Sequence, residues 1–322
     1  MVSIGYTAMG EQSGPRQLVD DAVQAEQVGF DFLAASDHFN PWLREQGHSP
    51  YTWAVLGAIA QVTHHMGLMT YVTCPTVRYH PAVVAQKAAT IQLLSQGRFT
   101  LGLGAGENLN EHIVGNGWPA VDLRHERLAE ALQIIRPLLA GETVNFRGAH
   151  LDAEGARLWD VPSTPPPIAV AASGPSSCRL AAEYGDALIA VEPKAELGEL
   201  FDAAGGKGKP RVGQVPVCYD QDRAAAVRRA HEQFRWFAGG WGVNAELPGP
   251  ANFAAASRAV QPEDVAAQIP CGSDVGACID AVRKFTAAGF THVALVQIGG
   301  DHQTEFLKWA ERELLPALRS SL

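Results

Sequence analysis

No apolar stretch of this chain reaches the roughly 20 residues that a bilayer-spanning helix needs, so a membrane-embedded role is not expected. Positive charge is also in short supply: 25 lysines and arginines face 34 aspartates and glutamates, a net charge of −9. Nucleic-acid binding needs a basic face that displaces counterions from phosphates, and the balance here runs the other way. Cysteine is sparse and scattered. Cys74, Cys178, Cys218, Cys271 and Cys278 are odd in number and form no CxxC pair, which argues against a disulfide framework or a zinc centre and for core thiols in a reducing compartment. The opening MVSIGYTAMG lacks the basic patch, apolar core and cleavage site of a secretory leader, so a cytoplasmic enzyme is expected. HExxH, GxSxG and GxxxxGK[ST] are all missing, which removes three common catalytic grammars.

What is present is alternation. SIGYTAM reads as a strand, and PRQLVDDAVQAEQVGF follows with Leu18, Ala22, Ala25 and Val28 at helical spacing. The same strand-then-helix rhythm continues through DFLAAS, GLMTYVTCPT and RFTLGLGAG, and resumes at PIAVAAS, DALIAV, RVGQVPVCY and THVALVQIG. Eight strands with apolar residues on both faces, each followed by a helix, predict a parallel sheet covered by helices. Eight units over 322 residues fit a single (β/α)8 TIM-barrel domain spanning 1–322 with insertions. A doubly wound open sheet is the rival, but GLGAGE lacks the third glycine of a dinucleotide fingerprint. Two stretches break the rhythm, and they are predicted as insertions after strands four and seven. Residues 142–167 (ETVNFRGAHLDAEGARLWDVPSTPPP) read as a hairpin with a proline-rich return. Residues 236–270, rich in glycine, proline and alanine with isolated aromatics, read as a lid over the substrate.

Barrel chemistry is carried just past the C-terminal ends of the strands. Glu11 follows strand one; Asp37, His38 and Trp42 follow strand two; Glu107, Asn108 and Glu111 follow strand four; Glu192 and Lys194 follow strand six. His38 alone reads equally as a structural residue, and Asp37 as a helix cap. Glu107 is harder to dismiss, because a carboxylate directly after TLGLGAG must face the mouth or be paired. With His38 it would set an acid and a base in one cleft. ASGPSSCRL opens a helix through a Gly/Ser turn, which reads either as an anion site or as an ordinary helix start.

EQSGP, SDHFNPW, QGHSPYTW, CPTVRYHPAVVAQ, GRFTLGLGAGENLNE and LWDVP…PPIAVAASGP together resemble the luciferase-like TIM-barrel superfamily of flavin and deazaflavin enzymes. The similarity is closest to the branch that uses coenzyme F420, a 5-deazaflavin, and includes glucose-6-phosphate dehydrogenases. The resemblance implies that His38 takes a proton from a substrate hydroxyl, that Trp42 lies beside the reacting centre, and that Glu107 is the acid, with Glu11 a further active-site acid. It places a non-proline cis peptide at Tyr71–Val72. Cofactor contacts are implied for Asp37, Tyr71, Val72, Thr73, Glu107 and Asn108, and contacts to the coenzyme phosphate for Ser173, Gly174 and Pro175. It also implies a homodimer.

The sugar-phosphate members hold their substrate with two lysines and an arginine. Lys194 matches the first lysine, but GGWGVNAELPGP and DVAAQIPCG contain no lysine, and Gln268 stands near the arginine's place. Substrate contacts are therefore expected from Trp42, Lys194 and Gln268, with the phosphate-binding set incomplete. The lid aromatics Trp236, Phe237, Trp241 and Phe253 point to a less charged substrate. The leading expectation is an F420-dependent oxidoreductase acting on an alcohol, carbonyl or activated alkene. The alternatives are an FMN-dependent monooxygenase or reductase on the same barrel, and a non-catalytic flavin-binding barrel.

Overall fold

Short apolar strands separated by amphipathic helices leave the chain one economical way to bury both sheet faces, which is to close the sheet on itself. The computed structural model describes residues 2–322 and shows that closure. Strands β1 (Ser3–Ala8), β2 (Phe32–Ala35), β3 (Gly67–Thr70) and β4 (Phe99–Leu103) pair in parallel. Next in the chain, β5 (Val144–Arg147) and β6 (Asp152–Ala156) form an antiparallel hairpin outside the barrel. Strands β7 (Ile168–Ala171), β8 (Ala187–Ile189), β9 (Arg211–Val217) and β10 (His292–Gln297) complete the parallel set. Strand β7 follows β4, and β10 closes on β1.

The covering helices are α1 (Pro15–Val28), α2 (Thr52–Val62), α3 (Pro81–Leu94), a short α4 (Asn108–Glu111), α5 (Val121–Leu139), α6 (Pro175–Tyr184), α7 (Ala195–Phe201) and α8 (Arg223–Phe234). Three short helices follow, α9 (Trp241–Asn244), α10 (Pro250–Ala256) and α11 (Pro262–Ala266), and then α12 (Val275–Ala287). The last predicted helix is divided into α13 (Gln303–Trp309) and α14 (Leu315–Ser321) by a π-helical turn. Proline sits in the first turn of α1, α3 and α6, where its missing N–H costs no helical hydrogen bond. The larger core lies between strands and helices. A separate inner cluster fills the barrel, with Phe32, Met69 and Ile189 set among Ala34, Ala169 and Ala294.

All eight predicted barrel strands are present, and both interruptions fall where the rhythm breaks. The hairpin joins α5 to β7, so it lies at the N-terminal end of the strands, opposite the mouth. The second interruption begins earlier than the expected 236–270: it leaves from the C-terminal end of β9 and includes α8 as well as α9 to α11. Its two ends are stitched together: Cys218 N donates to Pro270 O at 2.9 Å, and Gly272 N donates to Cys218 O at 2.9 Å.

Strand β3 is shorter than GLMTYVTCPT predicts because a side chain takes over the ladder. The Thr70 hydroxyl donates to Gly102 O at 2.8 Å and accepts from Gly102 N at 2.9 Å. The next peptide, Tyr71–Val72, is cis, and the chain touches β4 again at Thr73 opposite Leu103. Gly102 is required here, since a Cβ would overlap the Thr70 carbonyl oxygen. Gly102→Ala is therefore expected to destabilise the fold by about 3 kcal/mol or more, measured as the shift in a urea unfolding midpoint at unchanged slope.

Candidate active site

The strand ends converge on a cavity of about 540 Å³ at the barrel mouth, within the usual range for small-molecule sites. At its centre His38, just past β2, is held between two carboxylates. Its Nδ1 lies 2.8 Å from Glu11 Oε1, and its Nε2 lies 2.8 Å from Glu107 Oε1. Three chain segments, after β1, β2 and β4, thus meet on one imidazole. Each carboxylate is itself fixed. Ser36 Oγ donates to Glu11 Oε2 at 2.6 Å, and Asn110 Nδ2 donates to Glu107 Oε1 at 2.7 Å. Asn110 also accepts the backbone N–H groups of Phe39 and Asn40, at 2.8 and 3.0 Å, so it locks the loop after β4 to the loop after β2.

Burial disfavours a charged ring, but Glu11 and Glu107 outweigh it and raise the His38 pKa well above the ordinary histidine value. The pairing is reciprocal at Glu11. Burial pushes its carboxyl up, while the charge of His38 and bonds from His38 and Ser36 bring it below the usual range.

Asp37 leaves the same strand end toward a different cation. Its carboxylate accepts from Thr73 Oγ1 at 2.6 Å and Trp53 Nε1 at 3.0 Å, and pairs with Arg78 Nη2 at 3.1 Å. Arg78 also reaches Glu111: its backbone N donates to Oε2 at 2.8 Å, and its Nε lies 3.3 Å from Oε1. Burial lifts the Glu111 carboxyl to about 7 in spite of Arg78. Gly106, at φ +86°, makes the turn before Glu107; a Cβ there would press on Cys74 Sγ and Glu111 Cγ.

The lid closes the other side. Trp236 stacks on Trp42 with ring centres 4.1 Å apart and planes 9° from parallel, and Phe253 meets Trp42 edge-on at 5.1 Å. Trp42 in turn lies 5.0 Å from the His38 ring. A polar latch holds the lid at its far edge. Glu246 accepts from Trp118 Nε1 at 2.8 Å and Arg124 Nη2 at 2.9 Å, and its carbonyl accepts from Asn108 Nδ2 at 3.0 Å.

Residues 2–292 match the profile of the luciferase-like monooxygenase family. The chain belongs to that family. Within it, the chain is 35% identical over 338 aligned positions to an F420-dependent glucose-6-phosphate dehydrogenase of Intrasporangium calvum, covering 99% of both chains. It is 36% identical to an F420-dependent hydroxymycolic acid dehydrogenase of Mycobacterium tuberculosis, covering 98% of this chain and 88% of the relative. Among solved structures, an F420-dependent secondary alcohol dehydrogenase in complex with an F420-acetone adduct superposes with a TM-score of 0.89 at 28% identity, covering 99% of each chain.

Against this family frame, the structure gathers Glu11, His38, Trp42, Tyr71, Val72, Glu107, Ser173 and Gln268 around the cavity. Others face elsewhere. Asp37 reaches the cavity edge, but its carboxylate is engaged by Arg78, Thr73 and Trp53 rather than by His38, and it caps no helix. Thr73 is fully buried beneath it. Asn108 holds the lid through Ala245 O and Glu246 O. Lys194 is more than half exposed, with Nζ 2.7 Å from Glu192 Oε2. Gly174 and Pro175 begin α6, where Ser177 Oγ accepts from the N–H groups of Ser173 and Gly174 at 3.0 and 3.2 Å.

Sequence reasoning missed Arg78, Asn110 and Ser36, the residues that hold the acids in place. Arg78 stands within CPTVRYHP, and no local pattern links it to Asp37 or Glu111. Replacing Arg78 with Met leaves two buried carboxylates facing each other; a loss of about 3–5 kcal/mol is expected, read from denaturant unfolding of the variant beside the parent.

Proposed function

We propose that this protein is an F420-dependent oxidoreductase that exchanges hydride between the deazaflavin and an alcohol or its carbonyl product. The observation that carries the reading is the imidazole held 2.8 Å from each of two fixed carboxylates at the barrel mouth. The F420-dependent names of the relatives support the choice of coenzyme. The residues present fit a flat tricyclic group. Tyr71 and Val72 line the cavity, and Gly104 beside Val72 has no room for a Cβ. The space in front of Gly174, at the start of the ten-residue α6, is clear for a phosphate, which a helix N-terminus favours.

Bound F420 would supply the two-electron hydride acceptor. His38, as its neutral form, takes the hydroxyl proton at a ring nitrogen while Glu11 stabilises the imidazolium that forms. Glu107 Oε1, fixed by Asn110, is the acid on the other side of the ring. Trp42 and the lid aromatics exclude water from the reacting atoms. The whole chain is read as one catalytic unit. A cytoplasmic homodimer is the assembly we favour, supported by the exposed apolar residues Val62, Val83, Leu93 and Leu94 on α2 and α3 and by five unpaired, buried thiols.

Titration with F420 and with FMN, followed by fluorescence, tests the coenzyme; tight FMN binding with no response to F420 would overturn the proposal. His38→Ala is expected to keep F420 affinity within a few-fold while turnover falls about 10²–10⁴-fold. The pH dependence follows from the same triad. Alcohol oxidation needs neutral His38, whose pKa is raised by its carboxylates, so kcat/KM should climb with pH through an inflection above the ordinary histidine range. Glu11→Gln removes one of the charges that stabilise the imidazolium. The inflection should then move to lower pH, as measured by F420 reduction across a buffer series.

A further inference from the structure

We infer that the substrate is an uncharged, largely apolar alcohol or its carbonyl product, and not a phosphorylated sugar; this rests on the F420 reading above. The cavity side that faces His38 from the lid is aromatic and aliphatic: Trp42, Trp236, Phe237 and Trp241, with Met9 and Val296 from the barrel. Trp42 and Trp236 are under a tenth exposed, and Phe253 packs edge-on behind both. None of these side chains carries a positive charge, and Trp236 Nε1 is already spent on Gln233 O at 3.1 Å, so pressing a phosphate dianion against them would strip most of its hydration without a countercharge.

The cations near the cavity do not repair this. Arg124 is already paired with Glu246 and donates to Pro119 O at 2.8 Å, with its guanidinium over Trp118. Lys284 reaches the cavity lining from α12, the helix packed outside β9, but it is exposed to solvent there and lies on a different element from the His38 centre. Lys194 lies outside the cavity lining and is neutralised by Glu192, which does line it. At the one place on the loop after β8 where a phosphate could look for a cation, the cavity presents a carboxylate. Gln268 can accept or donate a hydrogen bond to a neutral polar group, and its Nε2 already leans on Asp264 O at 3.3 Å. The polar groups at the reacting end are His38 and Glu107, while the lid side is apolar. A neutral alcohol with an apolar flank matches that division; a sugar phosphate, polar at every carbon and doubly charged at one end, does not.

The test begins with enzyme saturated with F420 by fluorescence titration, so that failure of the coenzyme reading is seen first and separately. Reduction of F420 is then followed with 2-propanol, 2-octanol, cyclohexanol and 1-phenylethanol beside glucose 6-phosphate. The expected result is kcat/KM at least 100-fold higher for the best neutral alcohol, with millimolar glucose 6-phosphate neither oxidised nor competitive against it. Trp241→Ala should raise KM for 1-phenylethanol about tenfold and leave KM for 2-propanol within twofold. Glucose 6-phosphate oxidised as well as the best alcohol, competition by it at millimolar concentration, or no neutral alcohol oxidised by the F420-loaded enzyme would each overturn the inference. A Trp241→Ala variant with unchanged KM for 1-phenylethanol would overturn the apolar subsite.

Discussion

Two cations, each held between two carboxylates, fix the mouth of this barrel. His38 lies between Glu11 and Glu107, and Arg78 lies between Asp37 and Glu111. The sets are interleaved. Asp37 and His38 are neighbours at the end of β2, and Glu107 and Glu111 are separated by one helical turn after β4. The same two loops are therefore joined twice, once through a permanent guanidinium and once through a titratable imidazole. The permanent link is nine-tenths buried and structural. The titratable link faces the cavity, where the proposed reaction needs a group that gains and loses one proton. Arg78 fixes the frame in which His38 is free to change charge, and that separation of duties explains why adjacent residues do such different things.

The lid depends on the same frame from the other direction. Trp42 leaves the β2 loop only four residues after His38 and is the surface on which Trp236 stacks. Glu246 fastens the far edge of the lid to Arg124 and Asn108, and Asn108 directly follows Glu107. Both attachments of the lid thus end on the segments that carry His38 and Glu107.

Much of this was legible in the sequence, for identifiable reasons. Eight strands could be counted because parallel strands covered on both faces are apolar throughout, and helices such as α1 and α3 announced themselves with a proline or an apolar stripe, whereas α8 to α11 were not anticipated. His38 and Glu107 could be placed at the mouth because polar residues immediately after such strands have nowhere else to go. Asp37 shows the limit: it satisfies the same rule, yet its partners Thr73, Trp53 and Arg78 come from three later segments. Asn108 and Asn110 show it more sharply. Two residues apart on a four-residue helix, one holds the lid and the other holds the acid, and only the helical turn decides which. The length of β3 was overcalled because a threonine hydroxyl substitutes for backbone in the ladder, a substitution that leaves no periodic trace.

Similarity that covers nearly the whole chain need not divide evenly between coenzyme and substrate. The β1, β2 and β4 loops bring together Glu11, His38 and Glu107, the groups that the proposed oxidation of a hydroxyl by hydride transfer requires. On the proposed reading, the substrate beyond its hydroxyl would meet the β9 excursion and the loop after β8, where this chain offers stacked indoles, phenyl rings and a self-neutralised Glu192–Lys194 pair. An anionic substrate would have to find its countercharge there, because the carboxylates around His38 would repel it. The work is divided on that reading: the groups around His38 set which bond can break, and the residues over the mouth set which molecule brings it there.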